Sequence, residues 1–218
     1  MKKLLLTLGF LVAANLLFCQ ETDPERIFIE MPQPANLELA DGIEAEGTPY
    51  LDTTFVKGEF KMKTTSYLAP MRYNIYLDLF EVNQGSSIVC INSNNVEEIS
   101  LNNSTFVYLK EGKSKKGFEI LSEKGNSTFL KKHKVSYFEG KMGKNGKMKK
   151  YPRYKSEKPL YYFGSAEGAM TSITKMDDLK ALVPNKSEEI TAFVKQNKLK
   201  KKKEADWVTL FNYIAELK

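Results

Sequence analysis

From Pro49 onward the apolar residues fall into short runs rich in β-branched and aromatic side chains, with Gly, Asn, Ser and Lys between them. The runs occupy 55–62, 73–82, 87–91, 96–101, 105–109, 117–121, 127–138 and 160–163. Runs of this length, punctuated at this spacing, predict strands of an antiparallel sheet. In 73–82, Tyr73, Ile75, Leu77 and Leu79 alternate with Asn74, Tyr76, Asp78 and Phe80, which predicts one strand with an apolar and a mixed face. The connections 83–86, 102–104 and 124–126 supply Asn and Gly, residues that tolerate positive φ, and so predict hairpin turns. No helical pattern of about 10–15 residues separates the runs, which disfavours parallel βαβ order.

Near Thr174 the apolar period changes from two to 3.6. Thr174 followed by Asp177 predicts a helix start of the capping-box type, with Leu179 and Leu182 as its stripe and Pro184 as its stop. Asn185 with Glu188 predicts a second helix that buries Ile190, Phe193 and Val194. After Lys200-Lys201-Lys202-Lys203, a third places Trp207, Leu210, Phe211, Ile214 and Leu217 on one face. Helices this short are marginal alone, so they are expected to pack as a cap. The expected fold class is α+β: a mainly antiparallel curled sheet, as a roll, sandwich or partial barrel, closed by a C-terminal cap of three short α-helices.

Upstream of the sheet the pattern is different. Lys2 and Lys3 precede a mostly apolar run over 4–18, followed by Cys19-Gln20 and an acidic stretch. Positive, apolar and polar regions in that order predict an export signal. The run is shorter than the roughly 20 residues a membrane-spanning helix needs, so no transmembrane segment is expected once it is removed. Cleavage before Gln20 is expected; the alternative, a lipoprotein anchored through Cys19, is opposed by the bulky Phe18 just before the cysteine. The expected organisation is therefore a signal peptide at 1–19 and an acidic, Pro-containing extended arm at 20–48. A β domain at 49–173 with a basic loop at 140–158 follows, and then the helical cap at 174–218. The expected location is periplasmic or extracellular.

Charge changes the picture through its distribution. The net charge of +6 falls to +4 without Lys2 and Lys3, yet 20–52 hold nine acids and one base, whereas 110–203 hold twenty-five bases and ten acids. This asymmetry implies either an anionic partner for the basic half or an acidic arm lying against a basic body. The sharpest binding candidate is the basic loop, in which Lys141, Lys144, Lys147, Lys149, Lys150 and Arg153 are interleaved with glycines, Tyr151 and Tyr154. That composition suits gripping phosphate or stacking on a base or sugar, and equally suits a mobile soluble linker. Outside the cytosol the partner expected is an anionic envelope component, such as lipopolysaccharide, phospholipid or an acidic glycan, or another envelope protein, rather than nucleic acid. Lys200 to Lys203 read as a helix connector.

Few residues offer catalysis. Cys90 lies in an apolar strand-like run, where a cysteine packs as a small hydrophobe. His133 is the chain's single histidine and reads as an exposed strand residue between Lys132 and Lys134. One histidine and one cysteine cannot build a transition-metal site, so no metal and no cofactor is expected. There is no Gly-x-Ser-x-Gly elbow and no phosphate loop. The adjacent acids Glu97-Glu98, Asp177-Asp178 and Glu188-Glu189 send their side chains apart. Carboxylates brought together from separate strands would leave no such signature.

Several segments carry a resemblance: Arg72-Tyr73-Asn74-Ile75-Tyr76, Phe106-Val107-Tyr108, Gly117-Phe118-Glu119-Ile120-Leu121, Leu130-Lys131-Lys132, 193–200 and Leu210-Phe211-Asn212-Tyr213. With these, roughly 170 residues from Tyr50 onward resemble a recurrent type of exported Bacteroidetes protein without assigned function. The resemblance implies the same architecture and compartment, and no catalytic residue. Residues 140–157 share it least. The expected function is non-catalytic binding or interaction in the cell envelope. A carboxylate-based hydrolase of envelope glycan or lipid, and a carrier of a small apolar ligand, are the alternatives.

Overall fold

The computed structural model describes residues 27–30, 44–165 and 169–217. The expected signal peptide lies outside the described residues, as does most of the acidic arm. Among them the chain forms an open antiparallel sheet of eleven strands with helices at its C-terminal end, an α+β arrangement. The strands are β1 (Phe28–Ile29), β2 (Val56–Lys61), β3 (Ser66–Asn74), β4 (Leu79–Asn83), β5 (Ile88–Ile91), β6 (Glu98–Leu101), β7 (Ser104–Glu111), β8 (Ser114–Lys124) and β9 (Ser127–Lys132). Four further strands, β10 (Val135–Phe138), β11 (Lys141–Met142), β12 (Met148–Lys150) and β13 (Arg153–Ser156), leave the sheet, which β14 (Leu160–Ser165) and β15 (Met170–Ile173) rejoin. The order across the sheet is β1-β5-β4-β3-β2-β6-β7-β8-β9-β14-β15.

The turns follow the predicted chemistry. Asn102 and Asn103 adopt φ of 50° and 63° between β6 and β7, and Gly125 adopts 56° between β8 and β9. These are the left-handed values that two-residue hairpin loops require.

The first half of the sheet curls on itself. Four strand spacings separate β4 from β7, roughly 19 Å in a flat sheet. Yet the rings of Phe80 and Phe106 lie 5.2 Å apart, and Tyr73 stacks on Phe80 at 4.6 Å. Phe60, Met71, Val82, Ile91 and Ile99 complete this first core. Ile27 is buried in it, and Asn92 N–H donates to Ile27 C=O at 2.7 Å, so Ile27, just before β1, anchors the strand to the β5 edge.

The second core lies under the helices α1 (Met176–Ala181), α2 (Ser187–Gln196) and α3 (Glu204–Glu216). Phe129, Phe163 and Ile173 of the sheet meet Leu179, Ile190, Trp207, Leu210, Phe211 and Ile214. The stripe anticipated for the third helix is buried at Trp207, Leu210, Phe211 and Ile214, while Leu217 lies just past the helix end. The helix start near 174 is shifted by one residue. The Asp178 carboxylate accepts from Thr174 N–H, Thr174 Oγ1 and Lys175 N–H at 2.7–3.0 Å, whereas Asp177 pairs with Lys180 and Lys201.

Two expectations fail locally. The run 73–82 is two strands joined by a turn, because Asn74 Oδ1 accepts from Leu77 N–H at 3.0 Å and Asp78 takes φ of 58°. Both Tyr73 and Phe80 are consequently interior, although strict alternation puts them on opposite faces. The run 127–138 also divides, since β9 belongs to the main sheet and β10 to a separate hairpin. Outside the predicted runs, 66–71 is also strand, Pro70 included. β4 pairs with β3 only from Met71, so Pro70 sits where β3 has a neighbour on one side, a position at which a missing N–H is tolerated.

Candidate functional site: a cationic hairpin

β9 and β14 are neighbours, and Lys132 pairs directly with Leu160. Residues 133–159 therefore make an excursion that begins and ends at one pair of facing residues. At its base β10 pairs with β13, and further out β11 pairs with β12. At the tip, Gly143 N–H donates to Lys147 C=O at 2.8 Å and Gly146 takes φ of 73°. The basic loop is thus a β-hairpin and not an irregular linker.

Two contacts fix its base. Tyr137 and Tyr154 face each other across β10 and β13, and both pack on Tyr76 of the β3–β4 turn, with ring centroids 5.0–6.0 Å apart. Burial, and then the neighbouring phenols, push the Tyr154 hydroxyl up to about 12. The second contact comes from the N-terminal arm. Glu46 N–H donates to Pro152 C=O at 2.9 Å, and Tyr154 N–H donates to Glu46 C=O at 2.8 Å. Gly47 allows this approach, with φ of 77° and room so tight that a Cβ would meet Tyr154 O at 2.5 Å. The described end of the acidic arm therefore does lie against the basic half, but through its backbone.

All six predicted anion-binding residues are on this hairpin. Lys141 is in β11, Lys144 and Lys147 are at the tip, Lys149 and Lys150 are in β12, and Arg153 opens β13; all are exposed. The register sets Lys141 opposite Lys150, a like-charge pair that destabilises a hairpin unless an anion lies between or over it. From 140 to 156 there are seven bases, the six plus Lys155, and no acid. None of the seven joins an ion pair among the described residues. Only one of the two tyrosines is available to a ligand, because Tyr154 is in the anchor while Tyr151 is 56% exposed. Sequence reasoning missed Phe138 and Met142, which are 42% and 63% exposed on the same hairpin. Arg153 lies over the Phe138 ring at 5.5 Å. Their exposure depends on the hairpin leaving the sheet, which no local pattern announces.

The partly buried acids of the body have a different environment. Asp78 accepts from Tyr73 Oη at 2.6 Å and Gly117 N–H at 3.1 Å, and pairs with Lys132 at 2.6 Å. Glu81 is fully buried, held by Arg72 at 2.8 Å and by Asn74 Nδ2 at 2.8 Å, while Arg72 lies over the rings of Tyr50 and Phe55. Glu119 accepts from Ser104 Oγ at 2.6 Å and lies 2.6 Å from His133 Nε2, with Lys131 at 3.6 Å. Burial alone would raise the Glu119 carboxyl, but the bonds to His133 and Ser104 outweigh it and bring it down to about 2.

This corrects the expectation for His133. It is not an exposed strand residue: it follows the last residue of β9, and its side chain is 14% exposed. Ser104 and His133 engage opposite oxygens of Glu119, so the three residues form a clasp rather than a hydroxyl–imidazole relay. Cys90 is buried, and burial, with Glu81 nearby, pushes its thiol up to about 11, which leaves it inert as a nucleophile at neutral pH. Among the described residues no three His, Cys, Asp or Glu side chains gather to hold a metal ion, and no helix is long and apolar enough to cross a membrane. Comparison of the chain with family models, characterised proteins and solved structures finds no significant match.

Proposed function

We propose that the protein is an exported, non-catalytic binding protein of the cell envelope, and that it holds an anionic envelope component through the hairpin at 133–159. The observation that carries this is the contrast between two sets of cations. Arg72, Lys131 and Lys132 are neutralised by buried or half-buried acids, whereas the seven on the hairpin have no acid partner among the described residues, on a framework already ordered by its own ladder and by Tyr76. Charges held close together on a rigid support attract an anion without an ordering cost at binding. The charge and apolar pattern of 1–19, read as an export leader, supports export.

The two other functions have less support. A hydrolase needs acids free to donate or accept protons at a substrate, but Asp78, Glu81 and Glu119 are each saturated by their own donors. A carrier needs interior space, and the curled half of the sheet is filled by Phe60, Tyr73, Phe80 and Phe106.

The test is retention on anionic envelope extract at low ionic strength, where unscreened charges act over roughly 10 Å or more. Replacing Lys141, Lys144, Lys147, Lys149, Lys150 and Arg153 by Gln is expected to abolish retention and leave thermal unfolding in place. Undiminished retention of that variant removes the hairpin from the function.

A further inference from the structure

Cations alone do not account for the hairpin. Phe138, Met142 and Tyr151 stand 42%, 63% and 56% exposed among its seven bases. A soluble acidic glycan is recognised by cations, hydrogen bonds and the stacking of a sugar face on an aromatic ring, and gives Met142 nothing to bury against. Apolar side chains held in water within a cationic patch are what an amphipathic surface segment uses at a lipid interface. There the aliphatic stems of lysines also bury while their ammonium groups reach the phosphates.

We propose that the hairpin docks on an anionic lipid surface, with Phe138, Met142 and Tyr151 entering the interfacial layer and the lysines and Arg153 meeting the headgroups. This rests on the reading that the hairpin holds an anionic envelope component, and names that component as lipid. The charge pattern matches such a surface. Glu139 precedes the acid-free stretch 140–156 and Glu157 follows it, so the acids bracket the base and the outer part is wholly cationic. Glu46, bonded through its backbone to Pro152 and Tyr154, also lies at the base.

The depth of docking is limited by the backbone. Beyond the Glu46 contact, the outer edges of the hairpin have no ladder partners among the described residues, and such groups cannot enter hydrocarbon. The strands therefore rest among headgroups, where water and phosphate satisfy them, and only side chains reach further. Attraction by the lysines and Arg153 acts within a Debye length of the surface, so salt weakens it, while the apolar contacts are insensitive to salt.

The experiment uses the exported chain beginning at Gln20, free of the apolar leader. Its probes are phosphatidylcholine vesicles with and without phosphatidylglycerol, and dextran sulfate as a soluble polyanion. Wild type is expected to partition onto the phosphatidylglycerol vesicles and to bind dextran sulfate. Phe138→Ser/Met142→Ser/Tyr151→Ser is expected to keep its dextran sulfate affinity and its thermal unfolding but to lose vesicle partition by about tenfold or more, since each side chain forfeits an apolar burial. Tyr151→Trp is expected to add a fluorescence signal, over that of Trp207, that brominated lipid quenches. Equal vesicle partition by wild type and the triple serine variant, or no quenching, overturns the lipid proposal and leaves the anion-binding reading standing. Failure to bind either dextran sulfate or vesicles overturns both.

Discussion

Glu119 shows how single residues of this chain acquire roles that composition hides. Although burial alone would raise it, bonds from His133 and Ser104 bring its carboxyl down from an ordinary 4.5 to about 2. A depressed carboxyl contributes stability that is complete above the unfolded value and lost as the pH falls through the folded one. Urea unfolding followed from pH 5 to pH 2 is expected to show stability falling across that window, and Glu119→Gln to flatten the acid limb. Cys90 and Trp207 could be assigned from sequence, because an apolar run or stripe surrounds each. Glu81, Glu119 and His133 could not. The partners of Glu119 are fourteen and fifteen residues away, and Glu81 meets Arg72 across a turn that lies inside an apparently continuous strand. A buried charge is visible only when its partner's place is known.

At the scale of elements, legibility follows local chemistry. The turns at 102–104 and 124–126 are readable because Asn and Gly are the residues that tolerate φ near +60°. The last helix is readable because its stripe repeats for three turns. The division of 73–82 is not, since it depends on the Asn74 side chain capturing Leu77 N–H in a stretch whose alternation suits a strand. Trp207 tests how firmly the helices are joined to the sheet. Its ring packs on Tyr161 of β14 at 5.1 Å, and its Nε1–H donates to Lys201 C=O at 2.8 Å, fixing the four-lysine connector. Trp207→Ala is expected to cost about 3–5 kcal/mol in chemical denaturation, the range for removing a large buried aromatic. A loss below about 1 kcal/mol would mean that the stripe contributes little to the second core.

At the scale of the molecule, the antiparallel α+β class, a curled sheet and the C-terminal helix group were legible, and the contacts that set the curl were not. Curling is set by the meeting of Phe80 with Phe106 and of Tyr73 with both, contacts between strands far apart in the sheet. In the sequence the hairpin reads as a basic loop because its cations and glycines are conspicuous, while its pairing is specified by short strands of weak pattern. Because Lys132 and Leu160 face each other, replacing 133–159 with a two-residue turn is expected to leave a cooperatively folding protein. Its melting temperature would be lowered by the lost Tyr76 contacts and the lost His133–Glu119 bond, and calorimetry measures both effects. The same geometry has a wider meaning. An insertion whose two ends sit side by side transmits no change of length to the frame that bears it. This outgrowth can therefore be lengthened, recharged or exchanged for another recognition segment without re-registering a single neighbouring strand.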